Sequence, residues 1–224
     1  MDDGMTLDEV LEVLEGRASI YGFLSAVYGS EIRAEGLAQL REQMSEESEE
    51  EDSPGYALLR RFFQQTASDD AGAVETELAA DYASLFLSIG RKPVPPYESV
   101  FTSAERLLMQ RARDEVLAIY REEGLDRSDD FKEPEDHIAI EFEFMGYLCQ
   151  KALESLDADE TEAAKGSLQK QKEFLDKHLL VWVPQFCKDV QKSARTDFYK
   201  AIAQITEEHL SYESDAIAEL MEAI

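Results

Sequence analysis

Two carboxylates and an imidazole follow one another at Glu135-Asp136-His137, directly after Glu133-Pro134 and at the mouth of an apolar segment that runs to Leu156. Proline suits the first turn of a helix, where its missing N–H would have no intrahelical partner, and carboxylates are favoured at the same end by the exposed N–H groups and the helix dipole. The sequence therefore predicts a helix that starts at Pro134, with Glu135 and Asp136 in its first turn. His137 then stands beside an apolar wall of Ile138, Ile140, Phe142, Phe144, Met145, Tyr147 and Leu148. Taken alone, such a group is more often a hydrogen-bonded helix start than a ligand or a catalyst.

Catalytic chemistry finds little supply elsewhere. The chain has no Gly-x-x-x-x-Gly-Lys phosphate loop, no Gly-x-Gly-x-x-Gly, no Gly-x-Ser-x-Gly elbow and no His-Glu-x-x-His. A di-iron helical bundle needs two Glu-x-x-His pairs, and His137, His178 and His209 supply none. His137 and Glu141 are four residues apart and within reach of a shared metal, but one such pair arises by chance in an acidic helical protein. No enzyme, no cofactor and no metal is expected.

Two further segments keep company with the Glu133–His137 group. Upstream, Asp81-Tyr82-Ala83-Ser84-Leu85-Phe86 closes a helical pattern, and Pro93-Val94-Pro95-Pro96-Tyr97-Glu98-Ser99-Val100 follows as a stiff extended loop. Downstream lies Phe174-Leu175-Asp176-Lys177-His178-Leu179-Leu180-Val181-Trp182-Val183-Pro184-Gln185-Phe186. In this order and at this separation they resemble the TorD-like cytoplasmic chaperones of redox-enzyme maturation, a family that includes TorD, DmsD and NarJ-type proteins. The resemblance covers about residues 80 to 190, and its most specific part is the pairing of the Pro-x-Tyr-Glu-Ser-Val-like and Glu-Pro-x-Asp-His segments.

The resemblance implies a non-catalytic chaperone. It would bind the twin-arginine signal peptide or the apo form of a molybdenum-containing oxidoreductase, a molybdopterin-dependent catalytic subunit, and hold back export until the cofactor is inserted. Such a peptide joins a basic start to an apolar core, so its site needs an apolar trough with acids at one end. Tyr82, Leu85, Phe86 and Tyr97, with Phe142 and Met145, can furnish the trough, and core packing is the competing role for each aromatic. Glu98, Asp136 and Asp81 can meet the guanidinium groups, His137 can align Asp136, and Ser99 and Pro134 complete the expected site. The chain would act as a monomer or a helix-swapped dimer. A helical scaffold or assembly subunit that binds no signal peptide is the alternative, and a nucleotide hydrolase a third, although no phosphate cradle is visible.

Charge agrees with a basic ligand. Across 224 residues, 22 basic against 49 acidic residues leave a formal net charge of −27, which argues against nucleic acid or an anionic membrane surface as partner. An acidic surface that simply keeps the protein soluble accounts for most of it. The start Met1-Asp2-Asp3-Gly4-Met5 lacks the basic and apolar regions of an export signal, and no uncharged apolar run approaches the ~20 residues needed to span a bilayer. Cys149 and Cys187 form no Cys-x-x-Cys pair, so a reduced, cytoplasmic location is expected.

The positioning elements read at helical period, which predicts one all-α globular domain over residues 1–224 with about nine to ten helices around a central buried one. Thr6-Leu7-Asp8-Glu9 forms a capping box for a helix to about Tyr28. Others are expected near Glu31–Met44, Pro54–Thr66, Ala71–Leu87, Ala104–Glu122 with Ser103 as cap, Thr161–Leu180, Pro184–Ser193 and Thr196–Leu210, with a short piece after Ser214. The acidic run at 45–52 should be a solvated loop, and Pro184 should end the helix before it. Ile138–Phe144 alternates like a strand, but the apolar run continues past Leu153, too far for an ordinary strand, so the central helix is placed there.

Overall fold

Helical period carries through to structure almost everywhere. The computed structural model describes residues 5–45, 53–90, 92–126 and 132–224. Its elements are α1 Leu7–Gly29, α2 Ala34–Ser45, α3 Pro54–Gln65, α4 Ala71–Phe86, α5 Glu98–Thr102, α6 Arg111–Glu122, α7 Ile138–Asp157, α8 Thr161–Phe174, a π turn at Leu175–Leu179, α9 Leu180–Ser193 and α10 Asp197–Ala223. Among the described residues there is no strand, only an isolated antiparallel bridge between Tyr97 and His137. The fold is all-α.

Local signals explain most boundaries. The capping box before α1 forms, with Thr6 N–H donating to Glu9 Oε2 at 2.7 Å and Glu9 N–H to Thr6 Oγ1 at 3.4 Å. Pro54 opens α3, and Asp70 caps α4 by accepting from Ala73 N–H at 3.0 Å. Gly124, at φ +74°, follows the end of α6 in the left-handed conformation that glycine adopts without a Cβ penalty.

The chain divides into two compact units. One is built from Met1–Gly29, Tyr97–Trp182 and Leu210–Ile224. Its centre is α7, which packs along both α1 and α8. Phe142 is fully buried with the rings of Tyr21 and Tyr28 from α1 at 5.8 and 6.2 Å, while Phe144 meets Tyr120 of α6 at 4.8 Å and Phe174 of α8 at 4.9 Å. Residues two apart on α7 thus face different neighbours. Glu143, Gln150 and Glu154 keep an exposed stripe on this helix, and it is the burial of Glu141 among the apolar residues that makes its first turns read as strand-like alternation. A buried ion pair, Arg17 to Glu213 at 2.7 Å, ties α1 to the end of α10, and Tyr21 OH donates to the same carboxylate at 2.5 Å.

The other unit comprises Ser30–Pro96 and Val183–His209. Its core is a run of aromatic rings: Tyr82 and Phe86 of α4, Tyr199 and Phe198 of α10, Phe186 of α9 and Phe62 of α3, with neighbouring centroids 5.1 to 6.1 Å apart. Asp81 is buried and accepts from Thr196 N–H and Thr196 Oγ1, both at 2.8 Å, and from Arg195 N–H at 3.0 Å, so it satisfies donors at the start of α10.

Four expected boundaries need correction. Helix α7 begins at Ile138, not Pro134: residues 134–137 form a turn in which His137 N–H donates to Pro134 C=O at 3.1 Å, and His137 is extended at φ −75° and ψ 136°. Ser103 does not cap a helix from Ala104; it is extended, and positive φ at Arg106 and Met109 keeps the chain irregular until Arg111. Pro184 lies inside α9. A proline there leaves the carbonyl four residues back, on Leu180, without its helical partner, and the π turn that widens the helix lies just before that residue. Finally, α10 runs unbroken through Leu210 to Ala223. Of the acidic run, residues 46–52 lie outside the described residues.

Candidate functional site

The site grows from the Tyr97–His137 bridge in the first unit. After Pro95 and Pro96, Tyr97 is extended at φ −131° and ψ 131°, and α5 begins at Glu98. Glu98 N–H donates to the Asp136 carbonyl at 3.0 Å, and Ser99 N–H donates to Asp136 Oδ2 at 2.8 Å. Asp136 therefore caps the start of α5 from a segment 37 residues downstream. His137 caps α7 in its turn, its Nδ1 accepting from Ala139 N–H at 3.1 Å. The two helix starts are cross-capped, each by a residue of one short segment.

Around this frame lie further polar contacts. Tyr97 OH donates to Glu133, and the Tyr97 and His137 rings meet nearly edge to face with centroids 5.1 Å apart. Arg113 Nε donates to Glu135 at 2.6 Å, and Gln110 N–H donates to Ser99 Oγ at 3.0 Å. Beneath them, His178 Nδ1 lies 2.9 Å from Glu98 Oε2, and Trp182 Nε1 donates to Glu141 Oε2 at 3.0 Å.

Burial sets the charge states. His137 is pushed down to about 4 by loss of solvent, so it is neutral at physiological pH and its Nδ1 accepts from Ala139 N–H. Asp136 is raised, burial outweighing the hydrogen bonds from Ser99 that favour its charged form. Glu141 is held well above the usual carboxylate range, by burial first and then by the neighbouring charge of Glu98.

Of the residues expected from sequence, six come together here: Tyr97, Glu98, Ser99, Pro134, Asp136 and His137. Tyr97 and Pro134 are half-buried, whereas Glu98, Ser99, Asp136 and His137 are buried. Tyr82, Leu85 and Phe86 belong to the other unit, within its aromatic core, where Val94 N–H also donates to the Leu85 carbonyl at 2.7 Å. Phe142 and Met145 are core residues of α7. Asp136 turns its carboxylate to Ser99, and His137 uses Nδ1 for its cap. Sequence reading missed Tyr120 and Arg113 and assigned no role to His178 or Trp182. Glu141 carried a signal, as a carboxylate within the apolar run. Among the described residues no three His, Cys, Asp or Glu side chains gather as a metal site.

The chain belongs to the nitrate reductase delta subunit family, whose model matches residues 34–188. It is 30% identical over 202 residues to the chaperone protein TorD of Photobacterium profundum, covering 86% of this chain and 88% of that one. The chaperone protein TorD of Vibrio cholerae (strain ATCC 39541) is 26% identical, covering 96% and 98%. A solved structure of a candidate redox enzyme maturation protein from Archaeoglobus fulgidus aligns with a TM-score of 0.49 at 20% identity, covering 87% of this chain and 93% of that one. The TorD-like membership expected from the paired motifs is therefore shown, and with it a place among chaperones and not among enzymes. Among the described residues no helix is long and apolar enough to cross a membrane.

Proposed function

We propose that this chain is a cytoplasmic maturation chaperone that binds the twin-arginine signal peptide, or the apo form, of a molybdenum-containing oxidoreductase and delays its export until the cofactor is in place. Its membership of a family whose curated relatives are named chaperone protein TorD is the observation that carries this reading. Tyr97 and Pro134, half-buried at the edge of the bridge, are the peptide-facing groups, with Glu133 beside them to meet a guanidinium. Glu98, Ser99, Asp136 and His137 hold that edge in shape from below. A net charge of −27 favours a basic ligand and a salt-sensitive affinity.

Calorimetry tests this with the client's signal peptide and a version whose two arginines are glutamine. The expected dissociation constant is about micromolar or better for the first, weakening as salt is added. Equal heats from both peptides would remove arginine recognition. No binding of either peptide or of the apo enzyme would favour a helical scaffold.

A further inference from the structure

Glu141 is a carboxyl group with 0% exposure on α7, one turn beyond the cap His137. The polar groups around it come from several elements. Glu98 of α5 is within hydrogen-bonding reach, Asp136 acts on it from the turn before α7, and Trp182 of α9 donates to its Oε2 at 3.0 Å. His178 of the π turn stands behind Glu98, 2.9 Å from Glu98 Oε2, and the buried hydroxyl of Tyr120 on α6 feels both glutamates. Of the titratable groups that α1 brings to α7, Arg17 and Tyr21 engage Glu213 and Tyr28 lies against the Phe142 ring, while Gln171 of α8 accepts from Cys149 Sγ at 3.6 Å.

The atoms of this cluster assign themselves. Glu141 Oε2 accepts from the indole N–H, whereas Glu141 Oε1 is buried and meets no donor. The group in its reach, the Glu98 carboxyl, already accepts at Oε2 when His178 carries its proton on Nδ1. Two carboxyl groups in contact away from water cannot both be ionised without a large repulsion, and one proton between them turns the contact into a hydrogen bond. A carboxylic acid has one oxygen that only accepts and one that carries the proton; Trp182 already occupies the first.

From this geometry we infer that Glu141 is a neutral carboxylic acid whose Oε1–H donates to Glu98, and that it is a positioning residue: it anchors Glu98, and through it holds Tyr97–Ser99 against Asp136–His137. Glu98 then accepts from Glu141 and His178 on its side chain while its own N–H donates to Asp136, so α5 is fixed from both ends of one residue. Burial and the nearby carboxylates push the Glu141 acid in the same direction. Its bearing on peptide binding rests on the function proposed above; its protonation does not.

Two variants of the full chain test this. Glu141→Gln keeps a neutral group with one accepting and one donating atom, and Glu141→Leu keeps neutrality without the donor. A carboxyl raised in the folded state above its ordinary 4.5 stabilises most fully below that pH, and its contribution is lost as the pH rises towards the folded value. The melting temperature of Glu141→Gln should therefore gain on the parent steadily as pH is raised from about 4.5 to 8. A difference that shrinks or stays level means that Glu141 is ionised in the fold and overturns the inference. In calorimetry with the twin-arginine peptide, Glu141→Gln should bind within about threefold of the parent and Glu141→Leu about tenfold more weakly, the scale of one lost hydrogen bond. Equal binding by Glu141→Leu and Glu141→Gln overturns the positioning role. If the parent itself binds no peptide, the functional reading fails while the melting series still decides the proton.

Discussion

Asp136 and Ser99 are joined by a short contact, the Ser99 N–H donating to Asp136 Oδ2 at 2.8 Å, and the contact makes one segment the cap of another. A residue later, His137 caps its own helix with Nδ1. Two adjacent side chains thus terminate two helices, α5 and α7, while Tyr97 and His137 pair their backbones between them. The motif that attracts attention in the sequence is a junction, and the polar groups that give it a functional look are mostly consumed in building it. What reaches solvent is the edge, with Tyr97 and Pro134.

Replacing His137 tests the cap. His137→Ala should cost about 0.5–2 kcal/mol, the usual range for loss of an N-cap acceptor, whereas His137→Asn, which offers an acceptor at the same position, should recover most of it. Chemical denaturation with an unchanged m-value reads both. Equal losses for Ala and Asn would show that the ring's packing against Tyr97, and not its Nδ1, is what matters.

Acid should weaken the fold through the same residue. His137 is depressed to about 4 from 6.5, so between those values the unfolded chain binds a proton that the folded chain refuses. Its contribution is present above about 6.5 and is lost as pH falls towards 4, at a rate of about 1.4 kcal/mol per unit at the steepest. Glu141 has the opposite sign, losing its contribution as pH rises above 4.5. The stability difference between the parent and His137→Asn should therefore fall as the pH is lowered from 6.5 to 4.5, and a level difference would place the His137 proton in the folded state.

The Arg17–Glu213 pair is buried on both sides. Removing one partner strands a charge, so Glu213→Gln should destabilise by about 3–5 kcal/mol, while the double variant Arg17→Met/Glu213→Leu should recover a substantial part. Thermal or urea melts of the parent, Glu213→Gln and the double variant read the difference. A double variant no more stable than Glu213→Gln would show that packing around these positions, and not the stranded charge, sets the loss.

In the second unit, Asp81→Ala should cost about 1–3 kcal/mol, because it leaves the N–H groups of Arg195 and Thr196 without their acceptor at the start of α10. Asp81→Asn retains one oxygen and should lose less. Peptide affinity measured on the folded fraction separates this capping role from ligand binding: a large loss of affinity at full stability would make Asp81 a peptide contact instead.

Helical content and class were legible in the chain because they depend on local terms. The 3.6-residue period, the Thr6–Glu9 capping box, Pro54 at a helix start and Gly124 at an end each act within a few residues, and the structure follows them. The paired Pro-x-Tyr-Glu-Ser and Glu-Pro-x-Asp-His segments likewise identified the family, since a motif is a property of the sequence itself. Non-local competition decided the rest. Pro134 has every local reason to begin a helix, yet the backbone of residues 136 and 137 is worth more as a partner for Tyr97 and Glu98, a pairing between segments that no window of sequence contains. Pro184 should break a helix, yet tertiary packing keeps α9 continuous beyond a π turn. Glu98, Glu141, His178 and Trp182 are scattered over more than 80 positions, and only the packing of α5, α7 and the π turn with the start of α9 brings them within hydrogen-bonding reach, where burial makes a proton between two glutamates cheaper than two charges.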